Sequence, residues 1–276
     1  MTELIQFLES VKDKTKNTLA SYKVQYNKLY KLTEKPIAET SESKLIELIK
    51  EQPNPNQQQA LINVAIQVRR LEKLAVTKLE VLREKNKVLL REHVKDTNLK
   101  LQQSLPSYAE IVDYMKNLYE SGSWTDYIIN YLLINYQVRN VDVNFDIVPR
   151  KKDATDPEKN YMWLTGKKAV YIRNVYKTAG TYGKKVITIT DPLFLSAVKR
   201  VVYCQKHNKE CGVFIPNENQ VGYYVLNATY RKLGEGNYFK IVVDHYRNDL
   251  GMIQKISENR GTSISTILNS YDIANV

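Results

Sequence analysis

Between Ala60 and about Gln103 the chain runs without one proline or glycine, and apolar residues recur through it at helical spacing. Nothing there stops a helix, so the run is one very long helix or two joined by an unmarked break. What precedes it is helical too. Leu4, Ile5, Phe7, Leu8 and Val11 repeat at helical spacing, and a second helix starts near Thr15 to Thr18. Along that helix Leu19, Tyr22, Tyr26, Leu29 and Tyr30 form an apolar-aromatic face, with Lys23 and Lys28 opposite. The stretch SESKLIELIKE offers a serine cap to a third amphipathic run, and QPNPNQQQ at 52–59 is a loop because Pro53 and Pro55 block regular structure. Residues 1–103 therefore read as a four- or five-helix bundle ending in a connecting helix.

The pattern changes near residue 104. Ser107 caps a new helix, and Glu110 completes a capping box three residues on. A helix rich in Ile, Leu and Tyr follows from Thr125 to about Tyr136. Beyond it the period shortens to two in VDVNFDIV (141–148), AVYIRNVY (169–176) and KVITIT (185–190), which read as strands. KTAGTYGK makes the last two a hairpin. Helical spacing returns at PLFLSAVKRVVYCQ, at NQVGYYVLNATYRKL and over much of 241–270. Residues 104–276 are thus expected to form a second domain, mainly α with a small antiparallel β-sheet.

Charge narrows the partner. Forty-one Lys and Arg against thirty Asp and Glu leave +11, which favours an anion: nucleic acid first, an acidic membrane surface second. No lysine-rich amphipathic helix with an aromatic anchor supports the membrane reading, and no apolar stretch approaches a transmembrane span. Two cysteines make no disulfide framework and suit a reducing compartment, and the early acidic N-terminus lacks a signal core. The expectation is a soluble intracellular protein.

Among chemical motifs, a phosphate loop and a G-x-S-x-G elbow are both missing. Cys204, His207 and Cys211 make a C-x2-H-x3-C cluster one ligand short of a zinc site, so no metal is expected. Arg139 follows an apolar helix with Asp142 three residues on; this is a held phosphate clamp or a plain surface salt bridge. Lys177 precedes the glycine-containing turn, either carried into a cleft to serve a phosphate or a leaving alkoxide, or simply solvated. Lys184 and Lys185 read as solvated. Tyr271 ends a Ser/Thr-capped helix ten residues after Gly261; its phenol becomes a useful nucleophile only if cations stabilise the oxyanion.

The order of these pieces resembles the tyrosine recombinase (phage-type integrase) superfamily over nearly the whole chain. KTKNTLASYKVQYNKLYKL (14–32) is similar to the helix opening that family's core-binding domain, and INYQVRNVDV to the box of its first arginine. YKTAGTYGKKVITI looks like its lysine-bearing hairpin, and RGTSISTILNSY like the segment leading to its nucleophile. Two departures stand out. The family's His-x-x-Arg box is missing, with Asn237-Tyr238-Phe239-Lys240 at its place and Arg247 and Arg231 competing with Lys240 for the second arginine's role. Thr262 follows Gly261 where a histidine or tryptophan is usual. Such divergence resembles the recombinases of large DNA viruses and mobile elements.

The resemblance implies a site-specific DNA breaking-rejoining enzyme that works through a 3′-phosphotyrosyl intermediate without any cofactor. Tyr271 would attack phosphorus, Lys177 would protonate the leaving 5′-oxygen, and Arg139 with Lys240 would hold the phosphate. Arg247 and Arg260 are further phosphate-binding candidates, and Asp142 supports Arg139. The implied partners are double-stranded DNA and three further copies in a tetramer, in the host cytoplasm or nucleus or in a virion. A type IB topoisomerase-like nicking-closing enzyme and an inactive DNA-binding protein of the same fold stay open as alternatives.

Overall fold

The computed structural model describes residues 2–207 and 220–271. They fall into two compact units, Met1–Thr97 and Asn98–Val276. The division lies inside a continuous helix rather than at the change of composition near 104.

The first unit is a helical bundle of α1 (Thr2–Ser10), α2 (Lys16–Thr33), α3 (Glu42–Lys50), α4 (Pro55–Leu71) and the start of α5 (Thr77–Gln102). The proline- and glycine-free run is therefore two helices, and the break falls at 72–76, where Lys73 adopts a left-handed φ of 54°. The caps are local chemistry. Thr15 and Ser41 accept from the N–H groups of Thr18 and Lys44, and Asn54 accepts from Asn56 with Pro55 as the first helical residue. Phe7, Tyr26, Leu29, Leu45, Ile49 and Leu61 fill the core. Glu3 pins the α2–α3 connection, accepting from the backbone of Ile37 at 3.0 Å and Ala38 at 2.7 Å.

The second unit is mainly helical with one four-stranded sheet. Its α6 (Tyr108–Glu120) carries the expected Ser107–Glu110 capping box. After it comes α7 (Trp124–Tyr136), apolar on nearly every face, and so it sits at the centre of the unit. It packs on α6, α9 (Pro192–Lys206), α10 (Val221–Ala228), α11 (Gly234–Tyr246) and α12 (Leu250–Arg260). Asn130 of α7 is buried and donates to Ala228 O at 2.8 Å, closing the end of α10. The last helix, α13 (Ile264–Ser270), is capped by Ser263.

The sheet runs β1 (Phe145–Ile147), β2 (Asn160–Thr165), β3 (Lys168–Arg173), β4 (Lys185–Ile189) in that order. It is mixed rather than antiparallel throughout: β1 lies parallel to β2, and the long 148–159 connection permits that crossover. Residues 140–143 form a 3-10 turn instead of opening a strand, because the Asp142 carboxylate turns back onto the N–H of Arg139 at 2.8 Å. The expected hairpin is β3–β4, with Arg173 directly opposite Lys185, and its connection holds a one-turn helix, α8 (Ala179–Tyr182). Among the described residues no helix is long and apolar enough to cross a membrane.

Candidate functional site

The site is built around the C-terminal end of α12. A helix ends with carbonyls that have no partner within it, and that end carries partial negative charge. Gly261 turns the chain there with φ 63°, a left-handed value that glycine adopts without strain. The carbonyls are then taken by side chains from elsewhere. Lys185 donates to Glu258 O and, at 3.1 Å, to Asn259 O. Arg173 donates to Asn259 O at 2.7 Å, Arg139 to Arg260 O at 2.8 Å, and the Thr178 hydroxyl to Gly261 O at 2.8 Å. The β3–β4 hairpin and the residues following α7 thus converge on one helix end.

Gly261 is required by space as well as by φ. A Cβ there would lie 2.8 Å from Thr178 Oγ1, 3.1 Å from the Tyr176 ring and 3.2 Å from Lys185 Nζ. The Gly-to-Tyr271 spacing noticed in the sequence therefore contains the contact that lets the hairpin dock.

Two carboxylates answer the four cations. Asp142 is fully buried, and its Oδ2 accepts from the Arg139 N–H and pairs with the fully buried Arg173. Burial pushes the Asp142 carboxyl up from its ordinary value, while Arg173 and the Arg139 backbone and side chain pull it back. The second carboxylate, Glu235 at the start of α11, pairs with Arg260 and accepts from Asn140 N at 3.2 Å. Arg139, Arg173, Arg260 and Lys185 outnumber these partners, so the cluster carries a net positive charge.

The cations differ in availability. Half-buried Arg139 uses one guanidinium nitrogen on Arg260 O, and desolvation and Arg260 lower its pKa from the ordinary arginine value. Lys185 is also half-buried. Burial, then Arg173 and Arg139, bring its ammonium down to about 8, and the faces of Tyr176 and Tyr182 lie 5.1 and 5.6 Å from it. Arg260 is only 5% exposed and is engaged inward, with Nη1 on Gln137 O at 3.1 Å and Val138 O at 3.0 Å. Its Cζ lies 4.4 Å from the centre of the Phe239 ring, and Tyr271 meets the same ring edge-on at 4.7 Å.

Of the residues expected from the sequence, Arg139, Asp142 and Arg260 are drawn together, with Tyr271 one aromatic ring away. Lys177 lies exposed in the hairpin connection. Lys240 of α11 is half-buried, which pushes its ammonium down, and its side chain makes no hydrogen bond or ion pair among the described residues. Arg247 is exposed 3.7 Å from Asp244, and Arg231 is 3.7 Å from Glu110. Neither is joined to the cluster by a hydrogen bond or ion pair among the described residues.

Sequence reasoning missed Lys185, Arg173 and Glu235, and it took Lys185 for a solvated residue. A signal existed for Arg173. It falls on the same strand phase as Ala169 and Tyr171, both fully buried, and a buried guanidinium needs carbonyl or carboxylate partners. Lys185 then follows as its cross-strand neighbour.

Among the described residues no group of three or more His, Cys, Asp or Glu could hold a metal ion. Cys204 is disulfide-bonded, which removes its sulfur from the C-x2-H-x3-C cluster. Cys211 lies outside the described residues.

No family model matches this chain, and no curated protein does. A solved structure that resembles it is the crystal structure of XerA recombinase, at 12% identity and a TM-score of 0.39, covering 99% of this chain and 94% of that one. At that TM-score the likeness carries no functional weight.

Proposed function

We propose that this protein breaks and rejoins duplex DNA, with Tyr271 as the nucleophile that becomes linked to the 3′-phosphate. One observation carries the reading: Arg139 and Lys185, neither fully buried, are gathered on the helix end that leads, ten residues later, to Tyr271. Cations of this kind stabilise both a phenolate and the charge on a phosphoryl group in transfer. The Tyr271 phenol loses its proton to solvent as its oxygen attacks phosphorus, the bond to the 5′-oxygen breaks, and that oxygen takes a proton from a lysine. The reverse attack by a 5′-hydroxyl reseals a strand without metal or nucleotide.

In this reading Arg139 grips a non-bridging oxygen, with Lys240 or Arg247 as the second grip. Lys185 is the proton donor, because an ammonium with a pKa near 8 gives up its proton more readily than an ordinary lysine. Lys177, in the same hairpin, is the other candidate. The surplus of eleven positive charges is assigned to DNA phosphates. Four copies acting on two duplexes, inside a cell or virion, complete the proposal.

A DNA substrate nicked beside the cleavage point tests this, because loss of the short 5′-hydroxyl fragment traps the covalent intermediate. Wild type is expected to form the adduct, and Tyr271→Phe to bind DNA without forming it. A second reading, DNA binding without cleavage, is favoured by the inward engagement of Arg260 and by the lysine at 240, which lacks arginine's bidentate fork. It predicts salt-sensitive binding with no adduct in wild type. A monomer that forms the adduct and relaxes supercoils would point instead to nicking-closing.

A further inference from the structure

We propose that Glu235 and Arg260 form a positioning pair that sets the aim of Arg139; this rests on the reading of Arg139 and Tyr271 above. The two arginines are interlocked. Arg260 reaches across to the carbonyls of Gln137 and Val138, immediately before Arg139, while Arg139 reaches back to the carbonyl of Arg260 at 2.8 Å. Glu235 closes the loop by pairing with Arg260 and accepting from the N–H of Asn140, immediately after Arg139. The backbone on both sides of Arg139 is therefore held by one buried ion pair, and its guanidinium is held by the backbone of that pair.

The pair itself is neutral and largely buried, with Arg260 5% and Glu235 16% exposed, so neither residue is placed to grip a DNA phosphate. It acts on the groups that are. Among the described residues, Arg139 has one side-chain hydrogen bond, leaving Nε and Nη2 with donors to offer an oxyanion. On its other side the Arg260 guanidinium lies on the Phe239 ring that Tyr271 packs against. A single side chain thus backs both the first phosphate-gripping arginine and the platform of the nucleophile. Small displacements of such groups are costly: about 1 Å of misplacement can slow a reaction by about 10²-fold.

The test compares Glu235→Gln with the double variant Glu235→Gln/Arg260→Met. The single variant strands a buried guanidinium and is expected to destabilise the fold, whereas removing both charges restores much of that loss. The double variant should melt near wild type and bind DNA with unchanged affinity. At saturating nicked DNA it should form the covalent adduct about 10²-fold more slowly. The nitrogen-15 signal of the Arg139 Nε–H, assigned through Arg139→Lys, should shift or broaden. A folded double variant with a wild-type rate and an unmoved Arg139 signal overturns the proposal. If wild type itself forms no adduct, the cleavage reading falls, and the Arg139 signal alone decides whether the pair positions that residue.

Discussion

Each unit buries an arginine against backbone carbonyls, and the two do it differently. In the first unit, Arg69 of α4 is 7% exposed and donates to Ala75 O at 2.8 Å and Thr40 O at 2.7 Å, with no carboxylate paired to it among the described residues. One arginine suffices there to tie a helix end to a loop. In the second unit a single helix end attracts Arg139, Arg173, Lys185 and a threonine, and two carboxylates balance the cluster. Capping needs far less charge than that, and the excess is the ground for the phosphate site proposed above.

Asp142→Asn should break the second arrangement most severely. It leaves Arg173 wholly buried without a counter-charge, and unfolding by denaturant is expected to show a loss of about 3–5 kcal/mol. In the first unit Arg69→Met should cost about 1–3 kcal/mol by stranding two carbonyls, with cleavage of DNA unchanged. Gly261→Ala should cost about 1–2 kcal/mol for the left-handed backbone alone. Its larger consequence is displacement of the hairpin from α12, which amide hydrogen exchange at residues 176–185 would report as faster opening.

The mildest prediction concerns pH. Burial and neighbouring cations lower the Lys185 pKa, so its charged, proton-donating form is lost as pH rises through about 8. For adduct formation at low DNA concentration, where the free protein's ionisations govern, the rate should fall above that pH. A flat profile up to pH 10 would remove Lys185 from the acid's role.

What was legible in the sequence was local. The Ser107–Glu110 box, the Gly261 turn and the glycines between β3 and β4 each announce themselves within a few residues. The β2 strand did not: buried on both faces over its first four residues, NYMWLT carries no alternation to read. The division at 97/98 leaves no breaker because α5 runs through it. Nothing in its own neighbourhood marked Lys185, because the carbonyls that hold it belong to Glu258 and Asn259, more than seventy residues away. Tyr271 and Arg139 could be proposed from order and spacing and Arg173 only from its strand phase, whereas Glu235 needed the third dimension.

The most direct test of the central claim, that the cations on α12 serve phosphoryl transfer, sets Lys185→Met beside Lys177→Met on two nicked DNA substrates. One substrate carries the natural 5′-oxygen at the cleavage point and the other a 5′-sulfur, which leaves without needing a proton. Lys185→Met should slow adduct formation by about 10²–10⁴-fold on the oxygen substrate and recover on the sulfur one, with Lys177→Met near wild type on both. The reverse pattern, with Lys177→Met slowed and rescued and Lys185→Met indifferent, would contradict the account.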